Sequence, residues 1–183
     1  MNEPKLQVSL RPVTEDDHPA LMALDHGYST EHVWQMEVDA TTPRMGARFR
    51  EMRLPRLMQV AYPRPKQAQA ALLAQRSLAL LAEAEGQPIG YAALTTQLVP
   101  STAWVTDVVV AASQRRRGVG SRLVLGAQAW AREHGCQRLV LEMQAKNQPA
   151  IKLAQKLAFE FAGFSDRYYE NQDIALFFAK RLT

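Results

Sequence analysis

Between residues 104 and 134 the chain passes from an apolar run through Gln114-Arg115-Arg116-Arg117-Gly118-Val119-Gly120 into an amphipathic segment, and this transition constrains the fold more than any other feature. Trp104–Ala111 reads as a strand, and its Val108-Val109-Val110 run predicts burial on both faces. From Val119 to His134, the residues Val119, Leu123, Ala127, Trp130 and Ala131 recur at helical spacing. The first N–H groups of such a helix have no partner inside it, and with the helix dipole they attract anions. Gly118 and Gly120 let backbone approach phosphate oxygens without a Cβ in the way. Arg115, Arg116 and Arg117 add forked cationic donors, and Ser121 adds a hydroxyl within the first turn. The turn lacks the Gly-Lys-Ser/Thr ending of a nucleotide P-loop and the three-glycine spacing of a dinucleotide site. A different phosphorylated ligand is expected.

The flanking segments predict a mixed α/β sheet. Leu6–Val13 alternates as a first strand, and Thr14 with Asp17 forms a capping-box pattern opening a helix to about Asp25. A second short helix is predicted around Glu31–Val38, carrying Trp34 and Met36. Two strands, Arg44–Leu54 and Leu57–Tyr62, are predicted on either side of Pro55, and Gln67–Gln75 favours helix. Ser77–Ala84 and Ile89–Val99 form a hairpin around Glu85-Gly86-Gln87-Pro88. Gln137–Met143 reads as a buried strand, Asn147 and Pro149 open a further helix, and Phe159–Phe164 and Ile174–Lys180 are the last strands.

The 183 residues suit one domain spanning 1–183. The net charge of +4 is spread over Arg44–Arg56, Arg64–Lys66 and Arg115–Arg117, with no basic stripe interleaved with aromatics. No nucleic-acid partner is expected; a phosphorylated small molecule accounts for the charge. No apolar run nears the roughly 20 residues needed to cross a bilayer, and Met1-Asn2-Glu3-Pro4-Lys5 lacks a signal-peptide core. A cytoplasmic protein with no membrane partner is expected. Cys136, the single cysteine, reads as a small buried apolar side chain, and His18, His26 and His32 have no metal-ligand spacing, so no metal is expected.

Arg115, Gly118 and Gly120 match the Gln/Arg-x-x-Gly-x-Gly/Ala signature that the GNAT superfamily of N-acetyltransferases carries between its fourth strand and third helix. The chain resembles that family most clearly over Arg76–Leu182. The resemblance implies a mixed, mostly antiparallel central sheet with helices on both faces, its fourth and fifth strands splayed apart. It implies acetyl-CoA as cofactor, with pantetheine laid along Val108, Val109 and Val110 and the diphosphate on Arg115, Arg116, Arg117, Gly118, Val119, Gly120 and Ser121. The N–H of Val109 is the candidate for polarising the thioester carbonyl. Asn147 matches a family residue that touches the cofactor and also reads as an N-cap. The acceptor implied is a primary amine of a small molecule or peptide, attacked directly in a ternary complex; a homodimer is compatible with the family.

The chain departs from the family where many members place a proton-donating Tyr and a Gly-Phe pair: these read Ala154 and Ala158-Phe159, or, with Gly163-Phe164 as the pair, the Tyr position holds Phe159. Tyr168 and Tyr169 are the substitute acids. Asp107 is the first choice for a base, with Glu142 as second base or as holder of the acceptor's charge. Acceptor specificity is expected from Tyr28, Trp34, Met36 and Asp173. Short stretches at Gly27–Thr30, Asp166–Tyr169 and Asp173–Phe178 are similar to those of streptothricin-type acetyltransferases. A catalytically degenerate acyl-CoA sensor is the alternative that the missing Tyr suggests.

Overall fold

A computed structural model describes residues 7–39, 41 and 46–182. The elements run β1 (Ser9–Pro12), a 3₁₀ turn (Glu15–Asp17), α1 (His18–Ala23), β2 (Tyr28–Asp39), β3 (Gly46–Val60), α2 (Lys66–Ala74), β4 (Leu78–Ala84) and β5 (Gln87–Thr95). They continue with β6 (Thr102–Val110), α3 (Val119–Glu133), β7 (Arg138–Gln144), α4 (Gln148–Lys156), β8 (Glu160–Ser165) and β9 (Ala175–Arg181). Seven strands form one sheet in the order β1-β4-β5-β6-β7-β9-β8, while β2 and β3 pair only with each other. All neighbours in the large sheet are antiparallel except β6 and β7.

Helices cover both faces, as expected. Leu21 of α1 and Leu73 of α2 are buried with Leu81, Tyr91 and Val109 on one face. On the other, Val124 of α3 and Ile151 and Ala154 of α4 are buried with Leu94, Val105 and Leu139, and Val119 and Leu123 of α3 with Ile89 and Ala92. Burying a side chain of this size contributes about 1.5–3 kcal/mol, so these apolar stripes fix which way each helix faces. Cys136 is buried before β7.

Several elements differ from the sequence expectation. The predicted helix at Glu31–Val38 is part of the twelve-residue strand β2, which pairs with β3 from Tyr28↔Val60 to Asp39↔Gly46. Its half-buried residues Trp34 and Met36 lie two apart, the strand period, and the Trp34 N–H donates to Ala145 O at 2.9 Å. Tertiary pairing outweighs the local pattern. The two strands predicted around Pro55 are one strand, β3. Its register slips between Thr30↔Met58 and His32↔Arg53, so Pro55 lies in a bulge that requires no ladder hydrogen bond from it. Arg44 and Met45, at the start of the first of those predictions, lie outside the described residues. The capping box forms, with Asp17 Oδ2 accepting from the Thr14 N–H at 2.8 Å, but the helix ends at Ala23.

Candidate active site

The site begins where two strands stop pairing. The parallel register of β6 and β7 runs from Thr102↔Arg138 to Val105↔Leu141 and ends there. On its other side β6 carries a bulge opposite Ala93 and Leu94, at Thr106. From that point β6 and β7 diverge, and the gap is a cleft of about 520 Å³ lined by residues including Arg64, Val108, Glu142, Asn147, Leu153 and Tyr169. The splay implied by the resemblance is present.

The ladder between β5 and β6 decides which amides face the cleft. Ala111 N–H donates to Ile89 O at 2.9 Å, and Tyr91 is paired with Val109. Antiparallel pairs alternate between bonded and non-bonded, so the Val109 N–H turns toward β5. The polar groups of Val108 and Val110 turn the other way, and Val110 O accepts from Arg115 Nε at 3.0 Å. The Val109 N–H, expected to polarise a carbonyl, is therefore engaged by β5, and the Val108 N–H is the one turned away from it. The side chain of Val109 is buried, while those of Val108 and Val110 are half-buried, so the expectation of burial on both faces holds only at Val109.

The arginine-glycine turn divides its labour. Gly118 is the N-cap of α3 at φ 87°, and a Cβ added there would meet nothing within 4 Å. The first helical bond runs from Arg122 N to Gly118 O, 3.1 Å, leaving the amides of Val119, Gly120 and Ser121 at the helix mouth without an intrahelical acceptor. A Cβ on Gly120 would stand 3.3 Å from Leu153 Cδ2 and 3.8 Å from Val110 Cγ2, inside the wall of the cleft. Arg116 and Arg117 are exposed, and Arg117 donates to Gln114 Oε1 at 3.0 Å. Arg115, expected to bind cofactor through its side chain, donates instead to Val110 O, Asp25 O and Gly27 O. Its guanidinium braces the turn. Asn147 lines the cleft and caps α4, its Oδ1 accepting from Ala150 N at 3.1 Å, so both readings of it are compatible.

Asp107, Glu142, Tyr168 and Tyr169 converge on one residue that the sequence reading did not single out, Arg64. Its Nη1 donates to Thr106 O at 3.0 Å and to Asp107 Oδ1 at 3.3 Å, its Nη2 donates to Glu142 Oε1, and its guanidinium lies 5.6 Å from the centre of the Tyr169 ring. Glu142 Oε2 accepts from Trp104 Nε1 and from the Tyr168 hydroxyl, each at 2.9 Å. Asp107 also accepts from the Tyr62 hydroxyl and from Thr106 Oγ1, and Arg76 lies 3.9 Å away. Glu142 lines the cleft; Asp107 borders a smaller pocket with Gln69 and Tyr91. Burial, then the charge of Glu142, pushes the Tyr168 phenol up to about 12, and Tyr169 rises further for the same reasons. Both phenols keep their protons at neutral pH. Ala154, where the family's Tyr was sought, is fully buried in α4.

A second polar layer flanks this cluster. The Tyr28 hydroxyl donates to Gln144 Oε1 at 2.9 Å, Gln144 Nε2 donates to Asp173 Oδ2 at 2.7 Å, and Lys146 pairs with Asp173. Tyr28 and Asp173, expected near the acceptor, thus meet at the cleft-lining Gln144. Trp34 stands apart on β2, its Nε1 donating to Gln148 Oε1 of α4, and Met36 is half-buried on the same strand. One signal in the sequence pointed to the missed residues. In Tyr62-Pro63-Arg64-Pro65 each polar side chain precedes a proline, which holds its backbone extended. Residues two apart on extended backbone share a side, and both reach Asp107.

Comparison with known proteins fits this geometry. Residues 44–159 match the model of the acetyltransferase (GNAT) family. The chain belongs to that family, an enzyme class whose acyl donor is acetyl-CoA. It is 32% identical over 87 residues to streptothricin acetyltransferase of Streptomyces lavendulae, a match spanning 48% of this chain and about half, 46%, of that relative. Its structure is similar to that of nourseothricin acetyltransferase, with a TM-score of 0.81 and 25% identity over 96% of this chain and 99% of the other. A Bacillus anthracis protein assigned as a streptothricin acetyltransferase and solved with acetyl coenzyme A shares the fold, with a TM-score of 0.74 and 19% identity over 96% and 99%. No helix among the described residues is long and apolar enough to cross a membrane.

The residues present suit acetyl-CoA. Amides at the mouth of α3, open space above Gly118 and a side-chain-free wall at Gly120 match a diphosphate, and the open edge of β6 matches the amides of pantetheine.

Proposed function

We propose that this chain transfers acetyl from acetyl-CoA to a primary amine of a small cationic molecule, by direct attack in a ternary complex. One observation carries the reading. The cleft between β6 and β7 is lined by Val108, beyond the last β6–β7 pair, and by Glu142, Tyr169 and Arg64 together. Relatives named for streptothricin and nourseothricin make antibiotics of that kind the first acceptors to test, ahead of peptide amines.

The amides of Val119, Gly120 and Ser121, with Arg116 and Arg117 at the rim, would hold the diphosphate. Val108 and Val110 would hold pantetheine, with the Val108 N–H turned toward the acyl oxygen. When bound, acetyl-CoA supplies an acyl thioester, whose carbon–sulfur bond breaks as the carbon–nitrogen bond forms. Glu142 faces the cleft, so it replaces Asp107 as first choice to receive the amine's proton. Both carboxylates have their two oxygens hydrogen-bonded, and what sets them apart is that Asp107, held by Thr106, Tyr62 and Arg64, lies outside the cleft lining and supports Arg64. Tyr169, held protonated, would return a proton on the leaving side. Tyr168 anchors Glu142 from the mouth of the site.

The test is release of free thiol from acetyl-CoA across an amine panel that includes streptothricin and nourseothricin. Amine-dependent release with intersecting double-reciprocal lines is expected. Parallel lines would contradict direct attack. Binding of acetyl-CoA without thiol release for any amine would favour the sensor reading.

A further inference from the structure

We infer that Arg64 is a positioning residue at the apex of the cleft, fastening β6 to β7 where their pairing ends and holding Glu142 toward the acceptor. The last register pair is Val105↔Leu141, so the next residues in line are Thr106 and Glu142. Those are the two groups the guanidinium joins, through Nη1 to Thr106 O and Nη2 to Glu142 Oε1. One planar fork takes over the connection that backbone pairing no longer supplies. Lysine carries all its donors on one nitrogen and cannot reproduce this fork.

The surroundings fix this placement. Pro63 and Pro65 flank Arg64 and limit the backbone on either side of it. Its side chain is 16% exposed and that of Glu142 1%, so neither has water to replace the other. The charged and titratable groups facing the pair are Asp107 on β6, Tyr62 and Arg76 from the segments flanking α2, and Tyr168 and Tyr169 from the loop before β9, while Trp104 Nε1 donates to Glu142. Asp107 is the second anchor that keeps the guanidinium in line.

The kinetic half of the test rests on the acetyl-transfer reading; a spectroscopic half does not. Trp104 Nε1–H donates to Glu142 Oε2, so its indole resonance reports where Glu142 sits, against Trp34 and Trp130 as internal controls. Arg64→Ala should cut kcat/KM for the amine by roughly 30-fold or more, while the acetyl-CoA Kd, by calorimetry, stays within about threefold. It should also displace the Trp104 indole resonance. Guanidinium chloride below denaturing concentration should restore both the rate and the resonance, which a loss of general stability would not allow. Arg64→Lys keeps a cation and the fold, and is expected to stay slow with a displaced resonance. A wild-type rate in either variant, or an unmoved Trp104 resonance, overturns the inference. If the wild-type protein releases no thiol with any amine, the transfer reading fails, and the Trp104 resonance alone still decides the role of Arg64.

Discussion

Arg115 Nη2 donates to the carbonyl of Asp25 at 2.7 Å and to that of Gly27 at 2.8 Å, tying the arginine-glycine turn before α3 to the segment between α1 and β2. With Nε on Val110 O, one side chain spans three backbone carbonyls. Arg115→Met should lose about 1–3 kcal/mol by denaturant titration, since charged hydrogen bonds to the part-buried carbonyls of Val110 and Gly27 go unmade. Acetyl-CoA affinity should fall as well, through a looser turn. Unchanged stability would mean that the brace is idle.

Bulk at the helix mouth should remove cofactor binding and spare the fold. Gly120→Trp places a ring against Leu153 and Val110, and calorimetry should detect no acetyl-CoA binding. Gly118→Ala has room for its methyl but must hold φ 87°, costing about 1–2 kcal/mol in stability. Retained binding in Gly120→Trp would place the cofactor elsewhere.

Glu142→Gln preserves size and the hydrogen bonds from Trp104 and Tyr168 while removing the proposed base and its charge beside Arg64. A decrease of about 10²–10⁴-fold in kcat/KM is expected, with acetyl-CoA affinity near wild type. Asp107→Asn should cost less in rate, because Asp107 does not line the cleft. Equal losses in the two variants would return Asp107 to the role of base.

The C-terminus of α4 carries a correctable strain. Ala158 sits at φ 59°, with Ala158 N–H bonded to Gln155 O and Phe159 N–H to Ala154 O, each at 3.0 Å. That is the helix ending in which glycine is favoured, and alanine there costs about 1 kcal/mol. Ala158→Gly should raise Tm; a fall in Tm would show that the methyl is needed for packing.

Acid should weaken the N-terminal anchor. Hydrogen bonds from Arg11, then from Thr14, hold the Asp17 carboxyl well below the usual carboxylate range. A depressed folded-state pKa adds stability above the unfolded value near 4 and loses it as pH falls through the folded value. Tm should drop below about pH 4 in the wild type, and Asp17→Asn should flatten that limb. Parallel Tm curves for the two proteins would count against the assignment.

Local chemistry made part of this molecule readable. The strand–turn–helix from Trp104 to His134, the Thr14–Asp17 cap and the hairpin at Glu85-Gly86 depend on residues within a few positions of each other. Both hairpin residues take positive φ, as the turn between β4 and β5 requires. The strand–turn–helix proposed to hold the cofactor is built from such short-range features, and the sequence by itself determined its placement. What only the tertiary structure decided was which β6 amides stay free of β5 and which side chains gather on the proposed acceptor side. Tyr62 and Arg64 precede α2, Trp104 and Asp107 lie on β6, Glu142 on β7 and Tyr168 near β9, and no periodicity links positions so far apart. The strand identity of β2 was decided in the same way, by pairing with β3 and docking of Trp34 on Ala145. Carboxylates find their counter-ion through folding, because burial makes an unpaired charge too costly to keep.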